Sequence, residues 1–137
     1  MIGVGIGKRG EMAKDGRLVA VILEVSDLDR SEARYRDGFG LDLHPGDNGV
    51  DDPWIGGRHA EISWHDGAYL HFALYPAKGK PTSGAQIALS VVDIEIAHAT
   101  AVSAGAHVLH EPRREPWGRS GRYEDFDGNV IELTQHA

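Results

Sequence analysis

Val25-Ser26-Asp27-Leu28-Asp29 and Val91-Val92-Asp93-Ile94-Glu95 are one pattern written twice. Each is an apolar run that ends at an aspartate and opens a helix. At the same offset Leu43-His44 falls on Leu109-His110. At a slightly shorter offset Gly57-Arg58 falls on Gly118-Arg119, and Asp66-Gly67 on Asp127-Gly128. Tyr69-Leu70-His71-Phe72 then falls on Val130-Ile131-Glu132-Leu133. Two copies of one supersecondary unit pack as a pseudo-symmetric pair, and the cleft between copies is a natural ligand site.

Working outward, the first copy reads as βαβββ. Leu18 to Val25 is β-branched and apolar, which predicts a strand. A helix follows, with Asp29 and Glu32 as a capping-box-like start and Gly38 and Gly40 as its stop. Leu41 to His44 suits a second strand, and residues 45–57 read as a loop. His59 to Trp64 and Ala68 to Tyr75 form a hairpin around Asp66-Gly67. Residues 77–84 are a linker by composition, and the unit starts again. Residues 85–92 predict a strand. A helix spans 94–104, with Ile94, Ala97, Ala101 and Val102 on one face and Gly105 at its end. A strand at 107–109, a loop at 111–118 and a hairpin around Asp127-Gly128 complete the copy. The expected class is α+β: a tail over 1–16, a first module over 17–76, and a second over 85–137, with 17–137 one domain.

Bulk properties narrow the function. At 137 residues there is room for one domain or two small units sharing a core. A net charge of −7 argues against a nucleic-acid binder. Arg113, Arg114, Arg119 and Arg122 are interleaved with Glu115 and Trp117, a mixed-charge segment rather than a phosphate-tracking stripe. No apolar run is long enough to span a membrane. The first residues lack the pattern of a signal peptide, which makes a cytoplasmic location the expectation. With no cysteine, disulfides and thiolate chemistry are excluded. Gly5-Ile6-Gly7-Lys8-Arg9-Gly10 matches a dinucleotide-binding motif by letters alone, with no strand before it and no helix after.

Strand alternation separates two faces. Val21, Leu23, Leu70, Phe72, Ile87, Leu89, Ile131 and Leu133 form a greasy face suited to pack on the helices. Glu24, His71, Gln86, Ser90, Glu132 and Thr134 fall on the other, among small residues. Few lysines or arginines accompany them, so a lined cavity is expected there rather than a plain wet face.

The opening Glu24-Val25-Ser26-Asp27-Leu28-Asp29-Arg30-Ser31, with Tyr35-Arg36-Asp37 and Phe39-Gly40-Leu41, resembles the opening of vicinal-oxygen-chelate proteins. So does the close, Glu115-Pro116-Trp117-Gly118-Arg119 followed by Asp125-Phe126-Asp127-Gly128-Asn129-Val130-Ile131-Glu132-Leu133. That superfamily includes glyoxalase I, bleomycin-resistance proteins, fosfomycin-resistance enzymes and extradiol dioxygenases. The resemblance implies paired βαβββ modules forming a cupped mixed sheet, often completed by dimerisation, and hence a homodimer. It also implies metal-ligand positions at Ala20, His71, Gln86 and Glu132. Three of these could ligate: His71, Gln86 and Glu132 could hold Ni, Zn, Mn or Fe(II), with Glu132 or Glu24 as a base. Ala20 offers no donor, and Gln86 is a neutral one. Pro53-Trp54 and Pro116-Trp117 also match between the copies; proline-held Trp54 and Trp117 are rigid platforms for a planar ligand. His59 could approach the cavity rim, whereas His44 and His110 are expected at the surface and His98 away from the helix's apolar stripe. Within the first helix, Glu32 and Arg34 stand where relatives carry apolar residues.

Two principal readings follow. The first is a small-molecule binding protein of the bleomycin-resistance type, with Glu24, His71, Gln86, Trp54 and Trp117 lining its site. The second is a metal-dependent lyase, isomerase or thiol transferase of the glyoxalase I or fosfomycin-resistance type, using His71, Gln86 and Glu132. A blander third is an interaction domain whose cupped face takes a peptide.

Overall fold

In the computed structural model, which describes residues 14–50, 52 and 56–136, the repeat becomes two four-stranded sheets. The first module runs β1 (Ala20–Val25), α1 (Leu28–Ala33), β2 (His44–Asp47), β3 (Arg58–Trp64) and β4 (Leu70–Pro76). The second runs β5 (Gln86–Ser90), α2 (Ile94–Ser103), β6 (His107–Glu115), β7 (Gly118–Glu124) and β8 (Val130–His136). Both sheets have the same order, β1-β4-β3-β2 and β5-β8-β7-β6, with the first strand parallel to the last and the other pairs antiparallel. These are the two mixed βαβββ modules the repeat predicts. The glycine-rich segment 5–10 and Trp54 lie outside the described residues.

The greasy faces and helices meet in one core. Leu23, Val25, Phe72 and Leu74 join Tyr35 and Phe39 from the segment that follows α1, and Ile94, Tyr123, Ile131 and Leu133 from the second module. A buried hydrogen bond crosses the modules: Tyr35 OH donates to Asp125 Oδ2 at 2.7 Å. Asp125 also accepts the Asn129 backbone and side-chain amides at 2.8 and 2.9 Å, so this buried carboxylate is fully engaged.

Several boundaries differ from the sequence reading. The first N-cap is Asp27, not Asp29; its side chain accepts from Arg30 N at 3.1 Å while its backbone is extended. Asp93 does the same in the second module, accepting from Glu95 N and Ile96 N. Asp29 instead pairs with Arg58 at 2.6 Å. Helix α1 continues as a π-helical segment, Arg34–Gly38. Leu41 and Leu43 are not strand but plug the core at 6% and 3% exposure, and β2 begins only at His44. Its Pro45 is tolerated because β2 is an edge strand. Residues 111–115 are strand rather than loop: β6 pairs through Glu115↔Gly118 and turns at Pro116-Trp117. Proline and charges suggested a loop there, but an edge strand carries both readily. Val102 is exposed because, at about 100° per residue, it stands roughly 80° away from Ile94 around the helix.

Arg34 and Glu32 now have an explanation. The Arg30 and Arg34 guanidiniums lie 3.7 and 4.3 Å from the Phe126 ring centroid, tying the first helix to the second module by cation–π contact. Glu32 pairs with Arg36 at 3.4 Å.

Candidate functional site

Strand register decides which predicted residues meet. In the first sheet His71 lies opposite Ala20 on β1 and Ser63 on β3. Glu61 is opposite Ala73, and Glu24 opposite Tyr75. These side chains share the face turned away from the core. In the second sheet Glu132 lies opposite Ala88 on β5 and Arg122 on β7. Gln86 is one step removed, opposite Val130.

Glu132 is saturated. Its Oε2 accepts from Thr134 Oγ1 at 2.6 Å and from the Trp117 indole N–H at 2.9 Å. Its Oε1 accepts from Arg122 Nε and Nη2 at 3.3 and 3.2 Å. Burial pushes this carboxyl up, but the hydrogen bonds from Thr134, Trp117 and Arg122, with the Arg122 charge, outweigh it and leave it lowered. A carboxylate held in this way orients an indole and a guanidinium; it is a poor base.

Two concavities flank β5. One is a cavity of about 580 Å³ between the modules, with Val21, Ile62, Trp64 and Phe72 on one wall and Ile87 and Leu89 on the other. His71 and Gln86 both border it. The second is an open groove of about 440 Å³ bordered by Trp117, Arg122, Glu132 and Thr134. Ala88, Leu89 and Ser90 border both, so β5 is the ridge between them. A smaller recess of about 140 Å³ places Gln86 beside Arg122 and Glu132. The structure therefore places His71 and Gln86 on one cavity and Gln86 with Glu132 on a smaller recess, while His71 and Glu132 border different concavities. Glu24 borders none of these; its Oε1 accepts from Lys78 N at 3.3 Å.

The other histidines are more engaged than their sequence positions suggest. His59 is 4% exposed, its ring stacked on Tyr75 at 4.5 Å and its Nε2 2.9 Å from Glu61 Oε1. His98 is half-buried, with Nδ1 2.7 Å from Tyr123 OH. His110 is half-buried rather than on the surface, and its Nε2 is buried without a hydrogen-bond partner. Sequence reasoning missed Glu61, Ser63 and Arg122. The signal was available: alternation along β3 and β7 puts them on the faces of His71 and Glu132.

The donors do not fit a metal. Opposite His71 stands Ala20, and opposite Glu132 stands Ala88, neither with a donor atom. Glu132 is committed to Trp117, Arg122 and Thr134. Among the described residues no group of three or more His, Asp or Glu side chains is placed to hold a metal ion. Nor is any helix among them long and apolar enough to cross a membrane.

Comparison with known proteins agrees with this architecture. TnmS3, an antibiotic binding protein from Streptomyces sp. CB03234, is 27% identical, with a TM-score of 0.66 over 89% of this chain and 97% of its own. A member of the glyoxalase/bleomycin resistance protein/dioxygenase superfamily from Sphaerobacter thermophilus is 25% identical, with a TM-score of 0.65 over 90% of this chain and 99% of its own. A glyoxalase/bleomycin resistance protein from Streptomyces sp. CB03234 is 27% identical, with a TM-score of 0.63 over 87% of this chain and 100% of its own. No curated protein matches. The family model for the glyoxalase/bleomycin resistance protein/dioxygenase superfamily matches residues 17–133, and the chain belongs to that superfamily.

Proposed function

We propose that this protein binds a planar, largely apolar small molecule of antibiotic type around β5, with Trp117 as the stacking platform. The observation that carries this is the Trp117 indole. It is 42% exposed at the mouth of the groove, yet its N–H is fixed by Glu132 at 2.9 Å. An aromatic ring that is both open and held still loses little freedom when a flat ligand stacks on it. The groove floor beside it is small and partly polar, with Ala88, Ser90 and Thr134, while the adjoining cavity is apolar and of a size that suits a drug-like molecule. The similarity to an antibiotic binding protein supports the ligand class. Gln86 and His71 would supply polar contacts at the rim; Trp54 would supply a second platform.

The working form is a homodimer. Strand β5 is hydrogen-bonded to β8 alone, and β1 to β4 alone, so each sheet keeps an open edge beside the site. A second copy would cover these edges and close the groove. Titration of the protein with an anthracycline, read by tryptophan fluorescence, tests the proposal. Saturable quenching is expected. Trp117→Ala should weaken binding by roughly tenfold, equivalent to about 1.4 kcal/mol. Equal affinity in the variant would remove Trp117 from the site.

A further inference from the structure

The outer face of the first sheet carries a connected row of side chains, of which His71 also borders the cavity beside β5. Ser63 Oγ lies 2.7 Å from His71 Nδ1. The other ring nitrogen of His71, Nε2, lies 3.5 Å from Glu61 Oε1. Behind Glu61 stands His59, whose Nε2 is 2.9 Å from the same oxygen and whose Nδ1 donates to the Gly57 carbonyl at 2.9 Å. Ahead of Ser63 stands the Tyr69 hydroxyl, 3.3 Å away. Ser63 and His71 are cross-strand partners, so the sheet register itself holds the hydroxyl against the ring.

The 3.5 Å approach of His71 Nε2 to Glu61 is a charge contact rather than a hydrogen bond. The tautomer with Nε2–H toward the carboxylate leaves Nδ1 to accept the Ser63 proton. Serine, imidazole and carboxylate thus stand in the order nucleophile, base and orienting anion. His59, stacked on the Tyr75 ring, packs its Nε2 2.9 Å from Glu61 on the far side. Ser63 and His71 are only half-buried, and Tyr69 is exposed, so a small substrate can reach the hydroxyl.

We propose that Ser63 is the nucleophile of an esterase-type acyl transfer. His71 acts as its general base and Glu61 as a positioning residue. In the first step Ser63 Oγ bonds to the ester carbonyl carbon and its proton passes to His71 Nδ1. The carbon–alkoxy bond then breaks, the alcohol leaves with that proton, and an acyl-Ser63 remains. Water attacks the acyl carbon, gives a proton to His71, and releases the carboxylic acid as Ser63 regains its hydrogen.

The surroundings set the substrate class. Ser63 pairs with His71 on β4, and the β2–β3 ladder ends before it at His44↔Glu61. The Tyr69 hydroxyl is a side-chain donor beside Ser63, and a site with so few donors suits activated esters with good leaving groups rather than amides. Glu61 beside the ring disfavours anionic substrates. Small, uncharged aryl esters are therefore the expected class.

The test uses the full chain and p-nitrophenyl acetate. Nitrophenolate release is followed together with peptide mass analysis of the acetylated wild-type protein. Acetyl on Ser63, with release on the order of a hundredfold faster than in Ser63→Ala, is expected. His71→Gln should lower the rate comparably. Glu61→Gln should lower kcat with KM unchanged, and Glu61→Asp should restore part of it. Release that survives Ser63→Ala would mean bare imidazole catalysis and would overturn the proposal. So would a wild-type protein acetylated only elsewhere, a result that does not depend on any variant folding.

Discussion

Glu132 shows how one residue's neighbours decide its role. Its place on the last strand was legible from the repeat, because Val130-Ile131-Glu132-Leu133 copies Tyr69-Leu70-His71-Phe72. Its partners were not, since Trp117 and Arg122 reach it only through the β7–β8 register and the turn after β6. The lowered carboxyl has a consequence for stability. A carboxyl lowered on folding contributes stability above its ordinary value of 4.5, and that contribution is lost as pH falls through the lowered folded value. Acid titration by circular dichroism should show the wild type weakening below 4.5, with a shallower acid limb in Glu132→Gln. Tyr35→Phe removes the buried bond to Asp125 and leaves one carboxylate oxygen short of a donor. Chemical denaturation should show a loss of about 1–3 kcal/mol.

At the level of elements, the repeat carried the architecture and local chemistry carried less. The same aspartate of the repeated pattern caps both helices, so the repeat itself pointed to Asp27 more strongly than a capping box at Asp29 did. Strand β6 was half read because Pro112 and the charges after it look like loop residues, and only pairing with β7 makes them strand. Leu41 and Leu43 alternate like a strand, yet they serve as core plugs after Gly40, whose φ of 78° turns the chain. Asp93→Ala should lower stability by about 1 kcal/mol, seen as a fall in the melting temperature. Gly118 holds a φ of 144°, and an added Cβ would collide with the Gln135 carbonyl, so Gly118→Ala should cost more than the cap does and disturb the Trp117 turn.

Across the whole molecule the modules share a core while their sheets stay separate. Burial, then the charge and hydrogen bond of Asp125, raise the Tyr35 hydroxyl at that junction. Burial, then Glu95 and Glu111, push Tyr123 up to about 12. Groups raised in this way lend stability below their ordinary value of 10.0 that is lost as pH rises through the folded values, so alkaline unfolding should begin above 10.0. The sequence could reveal two polar faces but not their separation, because it does not say whether β1 and β5 pair with one another. That arrangement puts the proposed site on the β5 ridge, with His71 and Glu132 on different sides. The most direct measurement is a map of backbone and indole amide shifts during ligand titration by NMR. The account predicts that the largest changes fall on the Trp117 indole N–H and on Gln86, Ala88 and Ser90. Changes confined to the first sheet's outer face or to α2, with the Trp117 indole unmoved, would contradict it.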